Sequence, residues 1–400
     1  MTATAPWHRA LADLLARSHR MPPDDLTTAV DAVLAPLGVT VTIYLVDVEQ
    51  GGLRPLPGAG RPAPEALPID TSLAGRAFTQ LEMHAGQGPP PRLWVPVVDG
   101  TDRLGLLEVF APAGVDLADP SLREGCRLTA GMIGHLVTSK APYGDGLHRA
   151  RRSRPMDVSA ELLWQLLPPL TFATGEVTVS ALLEPCYEVG GDAFDYALNG
   201  SSIALAILDG VGHGLPAVLT TSVALAATRA ARRASGDLTA TVEAADAAIR
   251  GEWRDGRFVT GVFAELDLRE GLLRYVNAGH PPPLLLRGGR TVGALEGGRR
   301  LPLGLSGDRQ EVAQVRIEPG DRLLLHTDGV TEARDATGEM FGLGRLADLA
   351  ERHILSGLPT PETLRRLGRA VGDHRGGPLR DDATLLLVEW SPEAAARLEP

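Results

Sequence analysis

Aspartates stand at four places beside apolar runs that lie far apart in the chain. "IALAILDGVGHG" delivers Asp209 at the end of one run and follows it with Gly210, Gly212 and Gly214. "RLLLHTDGVTEA" repeats the device with Asp328 and Gly329, and "LRDDATLLLVEW" reverses it, with Asp381 and Asp382 ahead of the run. Asp192 follows a glycine pair in "EVGGDAFDYALNG". One Asp-Gly after a strand is an ordinary turn dipeptide. A set of them says more, because buried strands that end in carboxylates can converge on one rim of a sheet. Carboxylates gathered there repel one another unless cations neutralise them. The glycines leave backbone carbonyls bare and let the chain bend tightly beside a ligand.

A site built only from oxygen ligands selects a hard cation, Mg²⁺ or Mn²⁺. Two such ions polarise a phosphoryl oxygen and generate hydroxide from a bridging water, which hydrolyses a phosphoester without a covalent enzyme intermediate. Cys126 and Cys186 lack CxxC spacing, so neither a disulfide framework nor a thiolate zinc site is expected. Other polar residues carry weaker signals. His213 in "GHG" is either a residue that orients a metal-bound water or a loop histidine held by backbone. His280 in "NAGHPPP" reads as part of a tight turn, and Glu332 in "TEAR" as a local salt-bridge partner.

Composition narrows the class of protein. A net charge of −11 over 400 residues argues against a general nucleic-acid binder, which needs a basic face. Lys140 is the only lysine, so the positive charge is almost all arginine. No apolar run reaches membrane-spanning length, and the N-terminus has no continuous apolar region of the signal-peptide kind. A cytoplasmic protein is the expectation, with no membrane and no nucleic-acid partner.

The elements that must position the aspartates follow from periodicity and turn residues. Residues 1–141 read as one small α/β domain. It has a helix from Asp24 ending at Gly38, a strand in "VTVTIYLVDVE", and a helix in "TSLAGRAF" capped by Thr71 or Ser72. Two strands follow around Asp99-Gly100, then a closing helix over 120–139. Residues 142–169 form a linker, basic and solvated at Arg149, Arg151, Arg152 and Arg154, then helical from Asp157 to Pro168-Pro169. Residues 170–392 are rich in strands, interrupted by one helix pair after the "SSIALAILD" strand and another between Gly344 and Val371. Hairpin-connected strands with helices in consecutive pairs predict antiparallel sheets flanked by helices, an α+β arrangement within the broad α/β class.

"EVGGDAFDY", "DGVGHG", "NAGHPPPLLL", "HTDGVTEAR" and "RDDATLLLV", in this order, resemble the PPM-type metal-dependent serine/threonine phosphatases, specifically the bacterial SpoIIE-like branch. The resemblance runs from about Ala160 to Trp390 and implies a sandwich of two antiparallel sheets with helix pairs outside. It also implies two Mn²⁺ or Mg²⁺ ions, with Asp209 bridging them, the Gly210 carbonyl on one, and Asp328 and Asp381 completing the ligand set. Asp192 would hold the second metal or its waters, and Glu188 and Asp382 would stand outside the ligands. The chain departs from the family pattern at Ala193, where an aromatic is common, and at His326, where Tyr is frequent. The resemblance further implies a phosphoserine or phosphothreonine substrate on a regulator protein similar to anti-anti-sigma factors.

The first 141 residues, with "TSLAGRAF" ahead of a "VPVVDGTDRLGLLEV" hairpin, resemble a GAF domain, a small sensor or dimerisation module. That implies a homodimer through this domain or the linker helix as one arrangement. Two other functions compete with the phosphatase. Gly-Gly-acid-x-Phe also marks diguanylate cyclases, but only Glu184 ends the strand upstream of Asp192 and no lysine is near to hold a triphosphate. A catalytically weak sensor or scaffold in the same signalling pathway is the other alternative, and the intact acidic set argues against it.

Overall fold

The computed structural model describes residues 5–58, 64–86, 90–112, 114–184, 186–188, 190–253, 255–305, 311–375, 382–392 and 398, so Asp381 lies outside the described residues. The chain divides between Arg154 and Pro155 into two compact units.

The first unit is built on a six-stranded antiparallel sheet. Its central strands are Thr40–Val46, Asp102–Phe110 and Arg92–Asp99. Alternation along Thr40–Val46 sends Ile43 and Leu45 to one face and Tyr44 and Val46 to the other. The first face is covered by the helices Ala5–Ser18, Leu26–Leu34 and Pro120–Lys140. The second is covered by Leu73–Gln80, whose start is fixed by Ser72, its hydroxyl accepting from the Gly75 N–H at 2.8 Å. Gly38, at φ 70°, ends the turn that follows Leu26–Leu34, as its place in the sequence predicts.

The expected solvated arginine run is only partly so. Arg151 docks on the sheet, its Nε donating to Val46 O at 3.0 Å while its own carbonyl accepts from Val48 N at 3.1 Å. The backbone edge beyond Val46 needs partners, and this segment supplies them.

The second unit contains two six-stranded sheets. One runs through Leu272–Ala278, Val259–Asp267, Ser202–Gly210 and Asp192–Asn199. The other runs through Leu284–Arg287, Arg322–His326, Ala383–Trp390 and Val177–Glu184. Pairing is antiparallel throughout, apart from the short contact between Leu272–Ala278 and Arg299–Arg300. The inner faces share a core that includes Val179, Phe194, Leu205, Ile207, Leu325 and Leu386.

Leu215–Arg233 and Leu238–Glu252 cover the outside of the first sheet through Val218, Leu225, Val242 and Ile249. Leu343–Leu355 and Thr360–Arg375 cover the second through Leu346 and Leu367. This is the predicted sandwich with helix pairs outside.

Two features differ in detail from the sequence reading. "DAFDYALN", which the sequence reading did not assign to a strand, is the strand Asp192–Asn199. Its alternation is genuine, but aspartates at both phases disguise it. The helix Val158–Leu166 packs with the second unit, placing Ala160 and Leu163 in the core under Leu215–Arg233. The segment 142–169 is thus divided between the units, with the short helix Gly146–Ala150 in the first.

Candidate metal centre

The site forms where the inner faces of both sheets run out. On Ser202–Gly210, Asp209 continues the row Ile203, Leu205, Ile207 that fills the sandwich, and on Asp192–Asn199, Asp192 shares the row of Phe194. Register places Asp192 directly opposite Asp209, and Asp209 directly opposite Thr260 on the next strand. Three polar residues therefore line up across three strands at the end of an otherwise apolar face.

The second sheet supplies the facing wall. Thr327 follows Leu323 and Leu325 on the inner row, and its Oγ1 donates to Asp192 Oδ2 at 2.7 Å. The same oxygen accepts from Thr384 N at 2.9 Å, while Thr327 N donates to Thr384 O at 3.1 Å. Asp382 is buried, and its carboxylate oxygens accept from Gly190 N, both at 2.6 Å, and from Asp192 N at 3.1 Å. Asp328, half-buried, opens the short helix Asp328–Thr331 between Thr327 and Gly329. Gly329 lies so close to Asp382 that a Cβ there would sit 1.7 Å from the Asp382 carbonyl oxygen.

Negative charge is concentrated here. Burial pushes the Asp192 carboxyl well above the usual carboxylate range, Asp209 and then Asp382 push it further, and the hydrogen bond from Thr327 pulls the other way. A cation between such groups would remove the penalty, so the donor chemistry fits a hard metal ion. Among the described residues, no group of three or more His, Cys, Asp or Glu already surrounds one point closely enough to hold an ion. Gly210 is positioned by its own N–H, which donates to Gly191 O at 3.1 Å, and Thr221 Oγ1 donates to the same oxygen at 2.6 Å.

The remaining sequence candidates separate. Glu188 and His213 are exposed, and neither takes part in the contacts of Asp192. His280 is buried in the turn expected for it. Its N–H donates to Asn277 Oδ1 at 2.8 Å, Asn277 Nδ2 donates to its carbonyl at 2.9 Å, and its Nδ1 lies 2.8 Å from Thr260 Oγ1. Burial, reinforced by neighbouring His326, pushes its pKa down to about 3.

Ala193 packs in the core beneath Leu215–Arg233, and His326 is buried with its pKa lowered by that burial. Glu332 does not form the local salt bridge expected of it. It is exposed with no ion pair among the described residues, and its neighbour Arg334 donates instead to Gly338 O at 3.0 Å.

Sequence reasoning passed over Thr327, Thr384, Thr221 and Asp195. Thr327 and Thr384 sit inside quoted motifs, but a hydroxyl beside a charged group draws no attention until the sheets are face to face. Asp195 belongs to the opposite face, where Arg229 and Arg232 each approach it at 2.8 Å.

Fold and site together define a PPM-type phosphatase domain. Residues 199–391 match the family model described as Stage II sporulation protein E (SpoIIE), and the second unit is a SpoIIE-family domain. The chain is similar to Protein IcfG of Synechocystis sp., 24% identical over 272 residues that make up 61% of this chain and 42% of that protein. It is also similar to the phosphoserine phosphatase RsbU of Bacillus subtilis, 24% identical over 235 residues, 58% of this chain and 69% of RsbU. Among solved structures, the SiaA-PP2C domain of Pseudomonas aeruginosa is 25% identical with a TM-score of 0.49, covering 58% of this chain and 94% of that one. The chain spans well under two thirds of the length of IcfG. No helix among the described residues is long and apolar enough to cross a membrane.

Proposed function

We propose that the second unit is a metal-dependent phosphoserine/phosphothreonine protein phosphatase acting on a regulator protein of the anti-anti-sigma-factor kind. The observation that carries this reading is the opposed pair Asp192 and Asp209, with Asp382 accepting from the Asp192 backbone and Asp328 following Thr327, which bonds the Asp192 carboxylate. RsbU, and RsbP of the same organism, are named phosphoserine phosphatases, which supports the substrate class. The reading includes a GAF-like domain over 1–141, a linker over 142–169 and the phosphatase over 170–392.

Asp192, Asp209, the Gly210 carbonyl, Asp328 and Asp381 would hold two ions, Mn²⁺ or Mg²⁺. Bound there, the ions supply Lewis-acid activation of a phosphoryl group and acidify water. The chain's own residues set the geometry. Thr327 fixes one oxygen of Asp192, which stands opposite Asp209 on the neighbouring strand. Asp382 ties down the backbone of Gly190 and Asp192, so the strand end cannot swing away from the rim. Thr221 holds the Gly191 carbonyl to which Gly210 N also donates.

The test is phosphate release from a phosphoserine-bearing regulator protein and from an aryl phosphate, with Mn²⁺, with Mg²⁺ and in EDTA. Turnover is expected only with metal, and Asp209→Asn is expected to abolish it. Unchanged turnover in EDTA, or in Asp209→Asn, would overturn the proposal.

A further inference from the structure

A cavity of about 570 Å³ opens within the first unit, between the start of Leu26–Leu34, the Gly52–Pro55 strand and Gly146–Ala150. Small-molecule sites occupy roughly 300–1,000 Å³. Its floor is apolar, formed by Leu26, Leu56 and Leu147, all buried members of the main core, with Pro55 and Pro57 beside them. On the opposite face of the sheet, Tyr44, Phe78, Trp94 and Leu106 pack together.

Among the described residues, three charged side chains line the cavity: Asp24, Arg54 and Arg149. Arg54 Nε is committed to Ala150 O at 3.1 Å, and its charge lies near buried Asp47. Asp24 Oδ1 occupies the space above Gly146, 1.9 Å from where a Cβ would stand, so its carboxylate rests against the backbone at the start of Gly146–Ala150. Arg149 is exposed and makes no side-chain hydrogen bond or ion pair among the described residues. The cavity therefore pairs an apolar floor with one uncommitted guanidinium at its edge.

We propose that this cavity binds a small apolar carboxylic acid, its hydrocarbon part on Leu26, Leu56 and Leu147 and its carboxylate on Arg149. The floor rewards hydrocarbon at roughly 25 cal/mol per Å² removed from water. A guanidinium gives a carboxylate a charge-assisted, often bidentate contact. A cationic ligand would meet two arginines against one aspartate already placed on Gly146. An uncharged one would leave Arg149 unused. Occupancy would also fasten Gly146–Ala150 to the body of its unit, just before the division at Arg154. This proposal stands apart from the phosphatase reading and survives or fails without it.

The experiment is calorimetric titration of the full chain with octanoate and with octan-1-ol, on the wild type, Arg149→Gln and Ala66→Trp. Ala66 is an exposed residue of the cavity wall, so a large ring there fills the space without entering the core. Circular dichroism confirms that each variant is folded. Octanoate is expected to saturate at one site. Arg149→Gln should weaken it about tenfold, the size of one hydrogen bond to a charged group, and leave octanol unchanged. Ala66→Trp should remove both. Absence of saturation up to about 10 mM octanoate would overturn the proposal. So would octanoate binding that ignores either substitution, since it would then sit elsewhere or without its carboxylate on Arg149.

Discussion

Asp192 and Asp209 stand directly opposite each other on neighbouring antiparallel strands, both on the face turned into the sandwich. Like charges opposed in this way destabilise a sheet, and Asp192 is only 2% exposed. Asp195, three residues on, lies on the other face between two arginines, Arg229 and Arg232. One short strand therefore holds two buried carboxylates whose energetic roles are opposite.

Neutralising each of them should change stability in opposite directions. In EDTA, Asp192→Asn removes a repelled charge while retaining an oxygen for Thr327, and is expected to stabilise the unit by about 1 kcal/mol. Asp195→Asn leaves two guanidiniums without their counter-charge and is expected to cost about 3 kcal/mol. Urea denaturation of both variants with and without Mn²⁺ checks this. Asp192→Asn should also lose most of the stabilisation that Mn²⁺ gives the wild type. Two shifts of the same sign in EDTA would contradict the account.

Asp382 is expected to act through the backbone. Asp382→Ala strands the N–H groups of Gly190 and Asp192 in a buried place, at a cost of about 2–3 kcal/mol, whereas Asp382→Asn retains an acceptor and should cost less. Gly329→Ala forces a methyl against the Asp382 carbonyl oxygen and should cost more than about 2 kcal/mol. Both changes should raise the Mn²⁺ concentration needed for half-maximal phosphate release, because both displace the strand ends that carry aspartates. Equal metal dependence in Asp382→Ala and wild type would show that Asp382 does not position the rim.

Much of this arrangement was legible before the structure, for a physical reason. Runs such as "IALAILD" and "RLLLHTD" are buried on both faces, so they read as strands, and their aspartates mark where apolar burial stops. The helix pairs were legible from 3.6-residue periodicity. What resisted reading was any polar residue whose partner is remote in sequence. Thr327 meets Asp192 across 135 positions, and Asp382 meets Gly190 across 192. No local pattern encodes such a contact. The Asp192–Asn199 strand was hidden for a related reason: Asp195 is buried polar only because Arg229 and Arg232 on the next helix neutralise it.

Acid should weaken the second unit through its buried histidines. His280 has a pKa of about 3 in the fold against an ordinary value of 6.5. Below pH 6.5 the unfolded chain takes up a proton that the folded chain refuses until near pH 3, so stability is lost as pH falls through that window. The slope is at most about 1.4 kcal/mol per pH unit for this one group. His326, depressed by burial as well, adds a loss of the same sign. In His280→Gln one share disappears. The stability gap between wild type and variant should therefore narrow from pH 6.5 to pH 5, measured by urea denaturation at each pH. A gap independent of pH would show that His280 is not buried in its neutral form.

The helix Val158–Leu166 is fastened to the segment that leads into Asp192. Trp164 Nε1 donates to Cys186 O at 2.9 Å, and Asp157 N donates to Tyr187 O at 3.1 Å. Asp157 also caps the helix by accepting from Ala160 N at 2.8 Å. At the other end, Arg229 joins the Leu166 carbonyl, at 2.7 Å, to Asp195 on the aspartate-bearing strand. A shift of this helix therefore pulls on the strand from two points, and the strand begins with Asp192. Trp164→Phe keeps an aromatic ring in the packing and removes one hydrogen bond, so it should cost only about 1 kcal/mol of stability. Its larger expected effect is on the metal site: several-fold more Mn²⁺ for half-maximal phosphate release, with the rate at saturating Mn²⁺ nearly unchanged. Asp157→Ala should act in the same direction, since losing the cap costs about 1 kcal/mol and loosens the helix start. A helix that merely spaces two domains predicts Mn²⁺ curves for both variants that superimpose on the wild type, and that result would end the case for coupling.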